Sequence, residues 1–139
     1  MMEPRHARID ALPLVIDHLR AVLPDCPVVA ATDAMLDPSE RALTVVQVPE
    51  VRTADTVTVR RWSFVATVTL ITYAGDYAQA LATHSRVADA ILDLTSLDGG
   101  AVRVSSVRSI QEPEDVPVRS ATDWPGQLSS YTIYLRRED

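Results

Sequence analysis

The stretch from Thr56 to Tyr73 reads as a single long β-strand, and it constrains the fold more than any other part of the chain. It is dense in β-branched and aromatic residues and contains neither Gly nor Pro. Fully extended at about 3.3 Å per residue, this strand would measure roughly 55–60 Å. A chain of 139 residues has a radius of gyration of about 14 Å and forms a globule about 40 Å across. Part of the strand must therefore project beyond the core or bend sharply, and a projecting hairpin favours assembly over catalysis.

The length and composition of the chain are those of one globular domain. Its 139 residues are 47% apolar, which is enough to bury a core without disulfides or metals. All 13 basic residues are Arg, which we attribute to the coding bias of a GC-rich genome. The net charge of −6 argues against a general nucleic-acid binder, because such a protein needs a basic surface to displace counterions. The charge is compatible with a protein that lets DNA pass without holding it.

No feature of the sequence predicts export or membrane insertion. The first residues, Met1 to Ile9, form a short polar arm without the apolar segment of a signal peptide. No run approaches the 18 apolar residues of a membrane-spanning helix. Cys26 is the only cysteine, which excludes an internal disulfide and a Cys-based zinc site. We therefore expect a soluble protein that is made in a cytoplasm and has no membrane partner.

Hydrophobic periodicity predicts an α+β fold with a mainly antiparallel sheet and two packed helices, in the order α-β-β-β-α-β-β. Asp10 and Asp76 are placed to cap the two helices. The second helix carries a predicted apolar stripe: Tyr77, Leu81, His84, Ala88, Ile91 and Leu92. A loop rich in Pro and acidic residues is predicted over 111–126, before a terminal strand over 128–137.

A projecting arm is predicted over 47–61. Pro49 is expected to close the strand that begins at Leu43, and 50–55 to connect it to the long strand as a hairpin. The apolar residues of the long strand change face near Arg60 and Arg61, which indicates a bulge or a passage from a free hairpin to a packed sheet. Exposed strand edges here would promote aggregation unless a partner covered them. The interface candidates are therefore Val57, Val59, Arg60 and Arg61, with Trp124 from the later loop.

The sequence assembles no catalytic site. His84 lies on the apolar stripe of the second helix, where a hydrogen-bonded core or interface histidine is the favoured interpretation. Cys26 is interpreted as a buried thiol without an activating neighbour. Asp89 and Asp93 lie at helical spacing, but no third ligand follows, so a solvated helix face is favoured over a metal site. We predict no catalytic residue, no metal and no cofactor.

Three segments together resemble a known family. They are the capped helix from Ile9 to Leu23, the strand and helix start Arg61-Trp-Ser-Phe-Val-Ala-Thr-Val-Thr-Leu-Ile-Thr-Tyr-Ala-Gly-Asp76, and the terminal strand Tyr131-Thr-Ile-Tyr-Leu-Arg136. In the order of its elements and the residue patterns within them, nearly the whole chain resembles the tail terminator (tail completion) proteins of long-tailed, siphovirus-type bacteriophages, particularly those that infect GC-rich actinobacteria. The most specific part is the junction from Tyr73 to Asp76.

This resemblance implies a structural role in the virion. Proteins of this family form a hexameric ring at the head-proximal end of the tail tube, stop tube polymerisation and join the tail to the neck. The implied partners are copies of this chain, the tail tube protein, a neck or head-completion protein, and genomic DNA that passes through the lumen. Glu112, Glu114 and Asp115 are candidates for an acidic lumen or an inter-subunit surface.

Two other interpretations remain open at the level of the sequence. A neighbouring neck or head-closure protein, or a tail tube subunit, shares the same small α+β or β-rich build. A small α+β enzyme or ligand-binding domain would need a pocket with convergent polar groups, and the sequence shows no sign of one. The oligomeric state separates these classes, because a ring favours the virion role.

Overall fold

A computed structural model describes residues 9–30, 38, 41–53, 63–116 and 124–137. These residues form two α-helices and six β-strands, with a short 3-10 turn at Asp98–Gly100. In chain order the elements are α1 (Ala11–Val22), β1 (Val28–Ala30), β2 (Leu43–Thr53), β3 (Ser63–Tyr73), α2 (Tyr77–Leu92), β4 (Ser96–Leu97), β5 (Val102–Asp115) and β6 (Gly126–Arg137). The predicted α+β fold is confirmed, and β4 is the one element that the predicted order lacks.

The six strands form one sheet in the order β1-β2-β3-β6-β5-β4. β1 is parallel to β2, and all the other pairs are antiparallel. The outermost strands are short: β1 pairs only with residues 44–46 of β2, and β4 pairs only with Val102 and Arg103 of β5. Within the described residues, most of β5 and the second half of β2 therefore lie at the two edges of the sheet.

Both helices pack on the same face of this sheet. Alternate residues of β3 and β6 point toward them, and the resulting core is completed by the apolar faces of α1 and α2. The central residues of this core are Val15, Leu19, Val46, Phe64, Ala66, Val68, Leu70, Val87, Ile91, Tyr131, Ile133 and Leu135. Burying one such side chain contributes about 1.5–3 kcal/mol. Phe64, Ala66, Val68 and Leu70 therefore share one buried face of β3.

The second strand is longer than the sequence predicted. β2 does not end at Pro49 but continues to Thr53, and its pairing with β3 shifts between Gln47 and Glu50. A bulge on an edge strand accepts proline because no ladder hydrogen bond is lost there. Val48 and Val51 pack against the main core, so residues 47–53 belong to the packed sheet. Residues 54–62 lie outside the described residues, and the projecting part of the arm stays a prediction.

The fifth strand is also longer than predicted. β5 extends to Asp115, so the loop predicted over 111–126 is wrong for its first five positions. Pro113 lies within this strand, where the edge position tolerates its missing N–H. The acidic residues assigned to a loop are therefore held on a strand.

The two helix starts differ from each other. Asp76 caps α2, because its side chain accepts a hydrogen bond from the backbone N–H of Gln79 at 2.8 Å. Asp10 occupies the N-cap position of α1 as predicted, but its side chain makes no capping hydrogen bond. The predicted stripe of α2 is partly wrong as well: His84, Ala88 and Ile91 are buried, whereas Tyr77, Leu81 and Leu92 are exposed.

Gly126 is the position where the sheet leaves no room for a side chain. A Cβ there would lie 3.0 Å from Cδ1 of Tyr73, 3.1 Å from Cγ2 of Val116 and 3.2 Å from the backbone oxygen of Thr72. We expect Gly126→Ala to lower the free energy of unfolding by about 1–3 kcal/mol, because a backbone atom cannot move aside cheaply. Urea denaturation measures this change. The comparison variant is Gly99→Asn, at φ +62° with nothing within 4 Å, where the left-handed backbone is the only source of strain and Asn tolerates it better than most residues. Equal stability of Gly126→Ala and the wild type would contradict the packing described.

Candidate functional site

A chain of buried polar side chains links α2 to three strands. The Thr44 and Thr72 hydroxyl oxygens lie 3.0 Å apart, and the Thr72 hydroxyl lies 2.8 Å from Nδ1 of His84. On the other side of the ring, Nε2 of His84 lies 2.7 Å from the Ser129 hydroxyl. All four residues are buried. Both ring nitrogens are thus hydrogen-bonded, which is what a polar group inside a core requires.

Burial lowers the pKa of His84 to about 4. The ring is neutral at pH 7, so one of its nitrogens donates and the other accepts. A catalytic base has to reach a substrate and has a pKa near the working pH, and His84 meets neither condition. The sequence-based interpretation of a hydrogen-bonded core histidine is confirmed.

Cys26 is buried, as predicted, and burial raises the pKa of its thiol. A thiol with a raised pKa is largely protonated and a poor nucleophile. Beside it, Arg86 donates hydrogen bonds of 2.8 and 3.1 Å to the two carboxylate oxygens of Asp25. This exposed ion pair joins the end of α1 to α2. We assign the whole group a structural role.

The described residues offer neither a metal cluster nor a membrane helix. No group of three or more His, Cys, Asp and Glu side chains among them is arranged to hold a metal ion. Neither α1 nor α2 has the length and apolar content needed to cross a bilayer. The candidate functional features of the described residues are therefore surfaces.

Polar and aromatic residues gather at the sheet end where β3 leads into α2. Nε2 of Gln127 donates to Oδ1 of Asp115 at 2.6 Å. The neighbouring Asp115 carboxylate raises the pKa of Tyr77. Trp124 lies two residues before Gly126, whose backbone oxygen accepts from the N–H of Val116. The structure therefore brings Trp124 and Asp115, two of the predicted site residues, to the same end of the molecule.

The predicted acidic surface is exposed. Glu112, Glu114 and Asp115 all face solvent on β5, and Glu114 accepts a hydrogen bond from the amide of Gln111. Trp124 is 40% exposed, so it is accessible to a partner. The remaining predicted interface residues, Val57, Val59, Arg60 and Arg61, lie outside the described residues.

Exposed apolar side chains near β5 were not predicted. Tyr77 and Leu81 are 51% and 41% exposed on α2, and Ile110 on β5 is 57% exposed. Strict alternation would place Ile110 on the buried face of Val102 and Val104. The pairing of β5 with β6 shifts between Val104 and Ser106 and again between Ser109 and Gln111, so Ile110 is the extra residue of the second bulge, and a bulge redirects a side chain out of the regular alternation. The sequence carries no clear signal for these shifts.

Comparison with known proteins gives a likeness in structure alone. No protein family model matches the chain, and no curated protein matches it. Among solved structures, the chain is similar to one in the "virion of native gene transfer agent (GTA) particle". The TM-score is 0.59 at 20% sequence identity, and the match covers 89% of this chain and 92% of that chain. The two chains share a fold over nearly their full lengths.

The neutral His84 makes stability depend on pH. Its pKa is about 4 in the folded state against 6.5 for an unperturbed histidine, so between these values the unfolded state binds more protons and stability falls as pH falls. Between pH 6.5 and 5, where most carboxylates keep their charge, we expect the free energy of unfolding to drop by roughly 1.5 kcal/mol. Chemical denaturation at several pH values measures this drop. Because burial also lowers the pKa of His18, the measurement is made in a His18→Asn background, and a flat profile there would contradict the buried neutral ring.

Proposed function

We propose that this chain is a structural virion protein of a tailed phage or phage-like particle, and that it forms the ring that ends the tail tube at its head-proximal end. The observation that carries the proposal is the shared fold with a chain of the gene transfer agent virion, over 89% of this chain and 92% of that one. The resemblance of the sequence to tail terminator proteins narrows the role from virion component to tail terminator.

The described surface supports assembly over catalysis. The buried histidine and cysteine both have structural surroundings, and the exposed features are apolar and acidic side chains around β5. Soluble proteins that expose large apolar side chains close together commonly use them to bind other proteins. A subunit of a ring needs such surfaces toward its neighbours, toward the tube below and toward the neck above.

The proposed assembly is a hexameric ring with DNA passing through its lumen. The net charge of −6 and the exposed Glu112, Glu114 and Asp115 would repel phosphates, so DNA would slide through without sequence-specific binding. The same acidic residues would serve equally at a contact between subunits. The ring would work without a cofactor and without an enzymatic step.

A neck or head-closure protein, or a tail tube subunit, is the second candidate. The likeness to a virion chain supports these roles as well, because the printed description names the whole particle. Tail length separates them from a terminator, since only the loss of a terminator removes the stop to tube growth.

The proposed function predicts the phenotype of a stop codon early in this gene, in the phage or phage-like element that carries it. We expect tail tubes of irregular and excessive length, together with heads that lack tails, and complementation in trans should restore joined particles. Electron microscopy of lysates measures both tail length and the fraction of joined particles. Tails of normal length joined to heads would contradict the proposed role, and a complete absence of tubes would favour a tube subunit.

The predicted arm is tested in the same complementation assay. Residues 54–61 are replaced by a short Gly-Ser turn, while 47–53 stay because Val48 and Val51 contact the core. If the arm covers a neighbour or the tube, the variant should fold, as its circular dichroism would show, and fail to complete tails. A variant that completes tails normally would remove Val57, Val59, Arg60 and Arg61 from the list of interface residues.

A further inference from the structure

The two edges of the sheet carry different surfaces on one molecule. The first edge is the side of β5 that faces away from β6. On this side, within the described residues, β4 pairs with Val102 and Arg103, the N–H of Val104 donates to the backbone oxygen of Thr95, and no strand pairs with the rest of β5. At the second edge, the described part of β1 covers β2 only at residues 44–46. When one edge of a copy fits the opposite edge of the next copy, the contact is heterologous. Such a contact repeats from copy to copy, and it closes into a ring when the rotation between copies allows.

Ile110 is the most prominent apolar side chain of the first edge. It is 57% exposed and lies between Ser109, which pairs with Tyr131, and Gln111, which pairs with Ser130. The register shift at this point makes Ile110 an extra residue in the strand, and bulges of this kind redirect a side chain. An isoleucine that a bulge turns outward gives a single apolar projection suited to a pocket on a partner.

The second edge contains a cleft of about 410 Å³ between the start of α1 and β2. Its lining side chains are those of Ile9, Asp10, Ala11, Leu12, Val48, Pro49 and Val51, and polar atoms contribute as much of its open surface as apolar atoms do. A cleft of this size accommodates a branched aliphatic side chain with room for neighbouring atoms. Its apolar side chains therefore offer a contact for that of Ile110.

The strand register places Ile110 and the cleft at the same level of the sheet. Val48 and Pro49 lie in the bulge of β2 opposite Val68, because Gln47 pairs with Thr69 and Glu50 with Thr67. Val68 pairs with Tyr131, which in turn pairs with Ser109, the neighbour of Ile110. A copy placed beside this one, with its strands in the same orientation, would place its Ile110 at the level of the cleft.

A second, charged pair of surfaces matches at another level. The strand register connects the acidic end of β5 to β1 through one line of paired residues across the sheet. The line runs through Asp115, Gln127, Thr72, Thr44 and Val28. The basic side chain at the β1 end is Arg20, which is exposed and donates from Nε to the oxygen of Val28 at 2.9 Å. The exposed Arg41 precedes β2 at the same end. Acidic residues on one edge thus face basic residues on the other.

We propose that the β5 edge of one copy docks against the α1–β2 edge of the next, with Ile110 in the cleft and the acidic end of β5 beside Arg20 and Arg41. The occupant is a second copy of this chain, because both the apolar pair and the charged pair recur on the same molecule in the same order along the strands. This inference rests on the proposed function, for which it names the contact that closes the ring.

The contact is made by side chains and not by a continuous strand pairing. Pro113 and three register shifts interrupt the outer edge of β5, and Pro49 interrupts that of β2. Proline and bulges are the features that keep edge strands from pairing indiscriminately. In an interface of this type the projection and the cleft set the spacing between copies, and the copies close into a ring when the rotation between them allows.

Cysteine cross-linking tests the contact. In a Cys26→Ala background, the double variant Ile110→Cys with Leu12→Cys should give a ladder of oxidised species up to the closed ring. A mixture of the two single variants should stop at dimers. The control is the double variant Leu92→Cys with Leu12→Cys, which should give no ladder. Leu92 is 46% exposed and lies outside both matched levels. The samples are the purified protein at high concentration and assembled particles.

Charged substitutions test the energetics of the same contact. Ile110→Asp should weaken self-association more than tenfold in sedimentation velocity, whereas the control Leu92→Asp should change it less than twofold. Glu112→Arg with Glu114→Arg should weaken it about three- to tenfold, and adding Arg20→Glu with Arg41→Glu should restore most of the loss. Circular dichroism verifies that each variant is folded.

The outcomes separate this inference from the proposed function. The inference is overturned, and the tail role is unaffected, if a ring forms but cysteines at positions 110 and 12 do not cross-link and Ile110→Asp leaves the ring intact. A cross-linked ladder in purified protein together with a normal tail phenotype in the stop-codon mutant supports the contact and overturns the tail role. A chain that forms no ring, either alone or in particles, overturns both.

Discussion

The packing of both helices on the alternate apolar side chains of β3 and β6 is the constraint on which the rest of the structure depends. Phe64, Ala66, Val68 and Leu70 from β3 meet Tyr131, Ile133 and Leu135 from β6 on one surface. The hydrogen-bonded ring of His84 then fixes α2 in one position over this surface, because its partners come from two different strands. A single helix-covered face is thereby defined, and the edges of the sheet are left to make contacts outside the domain.

The edge strands show how a protein can offer surfaces for assembly without exposing a pairing template. β2 and β5 both carry proline, and both change register along their length. These interruptions prevent promiscuous edge pairing. They also turn selected side chains outward, as at Ile110, and such a side chain can recognise a single partner. The proposed ring of identical subunits needs this combination, since each copy must bind its own partners selectively.

The sequence predicted the interior of the fold well and its edges poorly. The alternation from Phe64 to Leu70 and the cap at Asp76 follow from local rules that the core reinforces, so both are readable from the chain. The continuation of β2 past Pro49 and of β5 to Asp115 depends on pairing with a neighbouring strand, which local propensity does not contain. The same limit applies to the candidate surfaces. Glu112, Glu114 and Asp115 were recognisable by their charge, whereas the exposure of Ile110 and Leu81 depends on register and helix rotation.

The most direct test of the proposed account is a cryo-electron microscopy reconstruction of assembled particles at the junction of head and tail. The account predicts a closed sixfold ring of this chain at the head-proximal end of the tube, with each β5 edge against the α1–β2 edge of the adjacent copy. A ring of another symmetry would contradict it, as would copies distributed along the tube or the absence of this chain from the junction.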